Sequence, residues 1–235
     1  MHFMKKKDSK KKRGRKMSEE KVLFKLEHVT GTSKKNYKLQ DISLELPAGY
    51  IAGIAGENGA GKTTLFDYIM NPNMQYEGKI LLGGKEIHDD YVTMRQQIGF
   101  VSERNQFFMY KSARENAKLA GCLFDTWDYN LFETMMKEMG VASGIALSNM
   151  SRGEYMKFQT AYAMAHHPVL YLLDEVTAGM DPVFRIDYFK LLQSLIEEEN
   201  ASVLMISHIQ EEMERKMDYL GIMEEGRLVS WKENL

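Results

Sequence analysis

The eight residues from Gly56 to Thr63, GENGAGKT, set three glycines, a lysine and a hydroxyl at the spacing a polyphosphate requires. Gly56, Gly59 and Gly61 let the backbone bend tightly, so that N–H groups along Glu57, Asn58, Ala60 and Thr64 form a concave array that phosphate oxygens approach without meeting a Cβ. Lys62 is spaced to reach the β- and γ-phosphates, and Thr63 to offer its hydroxyl to Mg²⁺. A second group of polar residues ends the apolar run Val169 to Glu175, VLYLLDE. There Asp174 suits a magnesium shell. Side chains alternate along a strand, so Glu175 is free for a different role, accepting a proton from, or orienting, the water that attacks the γ-phosphate.

These groups must be carried by strands and helices that the sequence also marks. Tyr50 to Ala55 reads as a buried strand, followed by a helix from near Gly61 to about Met70 whose positive end faces the phosphates. Lys21 to Thr30 and Leu39 to Leu46 alternate as half-buried strands, and Pro47-Ala48-Gly49 turns the second toward the phosphate loop. Gly78 to Leu82 and Tyr91 to Gly99 flank Gly83-Gly84 and read as partners in an antiparallel sheet. From Met109 to Ala146 the pattern turns helical, with Asn116 to Ala120 and the amphipathic Tyr129 to Met139 bounded by Gly121 and Gly140. A long helix over Tyr155 to His166 leads into the LLDE strand, and Ala201 to Ile206 reads as another strand.

Composition agrees with an enzyme domain: 235 residues and 44% hydrophobic content supply a sizeable core. No apolar run approaches eighteen residues and the start lacks the apolar region of a secretory signal, so a membrane link is expected to go through a partner. Cys122 is the single cysteine, which suits a reducing compartment. Residues 1–16 carry nine Lys/Arg against Asp8, leaving −10 on the rest of a chain whose total is −2. Self-repulsion predicts that residues 1–18 form a disordered basic head, free to touch anionic lipid or to remain a solvated extension. Nucleic acid is disfavoured as a partner, because the remaining chain is acidic and shows no clustered Arg/aromatic face.

Met150-Ser151-Arg152-Gly153-Glu154 before the long helix, the LLDE strand, Ala178-Gly179-Met180-Asp181 and Ile206-Ser207-His208 follow the phosphate loop in order. That order, over about residues 22–230, resembles the nucleotide-binding domains of ABC transporters. The resemblance implies an α/β fold: a P-loop NTPase core with a mostly parallel sheet, an N-terminal antiparallel β-subdomain and an inserted α-helical subdomain at about 104–165, all within residues 19–235. It implies an ATPase using ATP and Mg²⁺, with Thr63, Asp174 and Glu103 around the metal and Glu175, His208 and Lys62 in catalysis. It further implies a head-to-tail pair with a second ABC ATPase subunit, identical or different. Ser151, Arg152, Gly153, Glu154 and Asp181 of one copy would then close over ATP held by the other. Ser151 by itself reads as a helix N-cap, with Glu154 completing a capping box.

Three departures qualify the resemblance. Glu103 stands where most members carry glutamine, a swap similar to small exporter-type subunits of antibiotic or peptide efflux. The signature reads MSRGE rather than LSGGQ. The adenine-stacking aromatic is not at its usual spacing; Tyr37 is nearest, with His28 as a fallback. A docking groove lined by Phe107, Phe108, Met109 and Tyr110 is expected to meet a polytopic membrane permease, placing the chain on the cytoplasmic face of the cell membrane. The expected role is export, the alternative a non-transport ABC ATPase acting in assembly or as an adaptor.

Overall fold

A computed structural model describes residues 21–32, 38–104, 106–177, 180–208 and 210–234. The basic head and Tyr37 lie outside the described residues. Val22–Thr32 (β1) and Lys38–Pro47 (β2) pair antiparallel, burying Phe24, Leu26 and Val29 against Leu39, Ile42, Leu44 and Leu46. The apolar alternation changes phase once in each strand, and the ladder register shifts between Leu26 and Val29. His28 and Asp41 absorb these changes in left-handed backbone (φ 54° and 53°), their side chains meeting at 2.6 Å.

The chain then enters Ile51–Ala55 (β3), buried at every position, and continues through the phosphate loop into Lys62–Met70 (α1). Tyr76–Leu82 (β4) pairs with β1 and with the short Lys85–Glu86 (β5) across Gly83-Gly84, completing a four-stranded antiparallel sheet of order β2-β1-β4-β5. Tyr91–Gly99 does not extend this sheet. Asp90 caps a helix at Tyr91–Gln96 (α2) by accepting from the Thr93 N–H, and Ile98–Val101 (β6) crosses to the other sheet. The Tyr91 hydroxyl donates to the Met70 carbonyl at 2.7 Å, tying α2 to the end of α1.

Ala113–Gly121 (α3) and Tyr129–Glu138 (α4) form the helical insert, capped by Ser112 and Asp128. They pack with Arg152–Met164 (α5) through Phe132, Met135, Met136 and Phe158. Leu170–Asp174 (β7), Pro182–Glu199 (α6), Ser202–Ser207 (β8), Gln210–Lys216 (α7), Tyr219–Glu224 (β9) and Arg227–Glu233 (β10) complete the chain. The second sheet runs β10-β9-β3-β8-β7-β6, parallel except for the antiparallel β10. Continuous burial along β3, β7 and β8 reflects cover on both faces, by α1 and the antiparallel sheet on one side and the helices on the other. Among the described residues no helix is long and apolar enough to cross a membrane.

One buried polar clamp ties β6 to the helical insert. The Gln159 amide donates to the Ser102 carbonyl at 2.6 Å and its oxygen accepts from the Ser102 N–H at 3.3 Å, both residues being buried. Gln159→Leu strips this partner from two buried backbone groups and is expected to cost about 1–3 kcal/mol. Urea unfolding measures it, and an unchanged midpoint would show that the clamp is replaceable.

Candidate nucleotide site

Register places the ends of three parallel strands side by side. Ala55 pairs with Ser207 and Ile206 with Asp174, so Gly56, Glu175 and His208 all leave the sheet at one edge. Ligands of open parallel sheets bind at this carboxyl edge because the loops there carry backbone not committed to the ladder.

The loop geometry fits phosphate. Gly59 and Gly61 have φ of 89° and 101°, and at Gly59 an added Cβ would meet nothing within 4 Å, leaving an open concave face. Gly56 is required for packing: a Cβ there would lie 2.3 Å from the Met223 carbonyl oxygen. Lys62, buried at the first turn of α1, curls over the loop and donates to the carbonyls of Gly56 (2.7 Å) and Glu57 (3.0 Å). Burial pulls its ammonium pKa down, opposed by Glu175 and Asp174. Glu57, Asn58 and Gly59 are exposed, whereas Ala60 and Gly61 are buried and Thr64 half-buried.

The Thr63 hydroxyl donates to Asp174 at 3.4 Å, so a hydroxyl and a carboxylate converge beside the lysine. These hard oxygen donors suit Mg²⁺, which keeps most of its shell for phosphate and water. Asp174 is buried, and burial, reinforced by Glu175, pushes its pKa up to about 6, against the pull of Arg104 and Thr63. Glu103 is not brought to this pair: its carboxylate engages the Arg152 guanidinium at the start of α5. Among the described residues no three His, Cys, Asp or Glu side chains converge on a metal position.

At Asp174 the strand stops. Glu175 adopts φ 53°, its N–H bound to the Ile206 carbonyl, and its carboxylate meets His208 Nδ1 at 2.8 Å. The left-handed turn at Glu175, rather than side-chain alternation along a strand, sends the two adjacent acids to different partners. Ser151 caps α5 within a capping box with Glu154, and Gly153 follows in the first turn; Asp181 caps α6, accepting from Val183 and Phe184 N–H groups. These caps lie apart from the phosphate loop in sequence and serve their own helices here.

Two residues that spacing did not single out join the halves. Arg104 makes a two-pronged ion pair with Asp67 of α1, while its carbonyl accepts from Tyr155 of α5 at 3.2 Å. Nothing in their sequence separation announces the pairing.

A family model described as ABC transporter matches residues 39–178. The chain belongs to that family. It is an ABC transporter ATP-binding subunit, an ATPase that takes ATP with Mg²⁺. It is 27% identical over 210 residues to the bacitracin transport ATP-binding protein BcrA of Bacillus licheniformis, covering 88% of this chain and 69% of that protein. It is 28% identical over 209 residues to the methionine import ATP-binding protein MetN of Protochlamydia amoebophila, covering 85% and 61%. The fold matches an ATP-binding cassette solved as a dimer in a post-hydrolysis state with ADP and Pi (TM-score 0.80, 20% identity, 91% of this chain and 99% of that one). It also matches an ATP-binding subunit of an ABC transporter (TM-score 0.79, 23% identity, 90% of each chain).

Asp174 must be ionised to hold Mg²⁺, and it takes up a proton below about pH 6 rather than near 4. The Mg²⁺ concentration giving half-maximal ATPase is therefore expected to rise as pH falls below about 6, approaching tenfold per unit. ATPase titrations at several pH values check this, and a requirement flat down to about pH 5 would refute it.

Proposed function

We propose that this chain is the motor subunit of an exporter, peripheral on the cytoplasmic face of the cell membrane. ATP closes a head-to-tail pair of ATPase subunits and hydrolysis reopens it. The Glu175–His208 contact supports the hydrolytic part of this reading: a carboxylate held at the phosphate edge, next to but not shared with the Thr63–Asp174 pair, would take the proton of an attacking water. His208 keeps that carboxylate oriented. Lys62 trades its two loop carbonyls for anionic phosphate oxygens, replacing neutral acceptors with charged ones. Thr63 and Asp174 would hold the Mg²⁺, which supplies charge neutralisation at the transferred phosphate. From the second copy, the Ser151 turn with Gly153 and Glu154, and the Asp181 cap, would close over the nucleotide.

Export is favoured by similarity to the bacitracin transport protein and by glutamate at position 103. The expected permease contact is on the helical insert, where Phe108 and Tyr110 are 61% and 94% exposed, whereas Phe107 and Met109 pack onto the core.

Glu175→Gln is expected to keep ATP affinity while slowing hydrolysis by about a hundredfold or more, because the cradle stays and the base goes. Nucleotide titration and phosphate release separate the two effects; unaltered turnover removes Glu175 from the role. With ATP and mild detergent, tagged Glu175→Gln chain should co-purify with a polytopic membrane protein, and Phe108→Ala/Tyr110→Ala should lose that partner without losing ATP. Exclusively soluble partners would favour the assembly or adaptor reading, and a substrate-binding protein in the complex would favour import.

A further inference from the structure

Two of the residues at which the chain departs from the common family pattern, Glu103 and Arg152, are partners in one ion pair. Their backbones are held firmly. Ser102 is clamped by Gln159, and Arg104 is tied to Asp67 on one side and Tyr155 on the other, so Glu103 sits on a strap fastened to both α1 and α5. The pair itself is loose: the side chains of Arg152 and Glu103 are 48% and 47% exposed, which limits such a contact to biasing an equilibrium about two- to fivefold. Elsewhere on the turn, Ser151 and Glu154 satisfy each other. Arg152 is thus the cation of the signature turn, and its tie runs to a separate element.

We propose that Glu103–Arg152 is a latch. In the open chain Glu103 holds the Arg152 guanidinium; on closure Arg152 leaves it and binds the terminal phosphate of ATP on the second copy. This rests on the head-to-tail reading above, in which Arg152 already reaches the other copy's ATP, and adds to it the terminal phosphate as the guanidinium's partner and Glu103 as the residue that withholds it. A triphosphate displaces a single exposed carboxylate because its terminal phosphate carries more negative charge while still offering the planar guanidinium a bidentate oxygen pair. A neutral glutamine facing a glycine could form neither state.

The test measures ATP-driven dimerisation of full-length Glu175→Gln chain by sedimentation, with added Glu103→Gln, Arg152→Gln, Arg152→Lys or the Glu103→Gln/Arg152→Gln pair. ATP affinity of each chain is measured separately at protein concentrations too low for dimers. Glu103→Gln is expected to lower the ATP needed for half-maximal dimer about two- to fivefold. Arg152→Gln should raise it about tenfold or more, Arg152→Lys less, with single-chain ATP affinity unchanged in all three. In the Arg152→Gln background, Glu103→Gln should have no further effect, since nothing is left to release. An Arg152→Gln chain that dimerises like its parent would overturn the proposal. So would a Glu103→Gln shift that survives without Arg152, or one toward higher ATP, which would return Glu103 to the metal. If the Glu175→Gln parent forms no ATP-dependent dimer, the head-to-tail reading falls and the latch with it.

Discussion

The alignment of three buried parallel strands governs this molecule. β3, β8 and β7 are covered on both faces, so none can show a polar side chain to solvent along its length. Polar chemistry can begin only where the strands end, and the ladder register makes them end together. Lysine, threonine, aspartate, glutamate and histidine drawn from positions 62 to 208 meet at one edge for that reason. The antiparallel sheet and the helical insert cover the two faces; the first is bound in by the β3 side of the core, the second by α5.

Charge at this edge is arranged for a visitor. Asp174 is buried next to another acid, and Lys62 commits its donors to loop carbonyls. Each would gain from a magnesium triphosphate: the cation favours the ionised carboxylate, and phosphate oxygens are stronger acceptors than carbonyls. The left-handed backbone at Glu175 separates the two neighbouring acids, so that one addresses the metal position and the other His208.

The strap at Ser102–Arg104 gives the molecule its mechanical continuity. It is the stretch where the parallel sheet, the phosphate-loop helix and the signature helix are joined by side-chain bonds: Gln159 to Ser102, Arg104 to Asp67, Tyr155 to Arg104 and Arg152 to Glu103. The buried Gln159–Ser102 contacts fix the backbone, whereas the exposed Glu103–Arg152 contact can be traded.

Much of this is legible in the residues themselves. The phosphate loop, the apolar strand ending in Asp174 and Glu175, the Ser151 capping box and the helical insert are local patterns, in which spacing alone dictates backbone path and cap. Tyr91–Gly99 shows the limit of such reading, since its apolar residues are compatible with a strand until Asp90 caps a helix and Ile98–Val101 finds β7. Pairings such as Arg104 with Asp67, Gln159 with Ser102 and Glu103 with Arg152 join residues 37 to 57 positions apart, and no spacing rule links the members of any pair. The sequence by itself determined which chemistry the chain carries, because phosphate binding and strand burial are written in short-range residue types. Only the tertiary structure decided where Glu103 points and what holds the strap, because side-chain partners across elements depend on packing that no local spacing records.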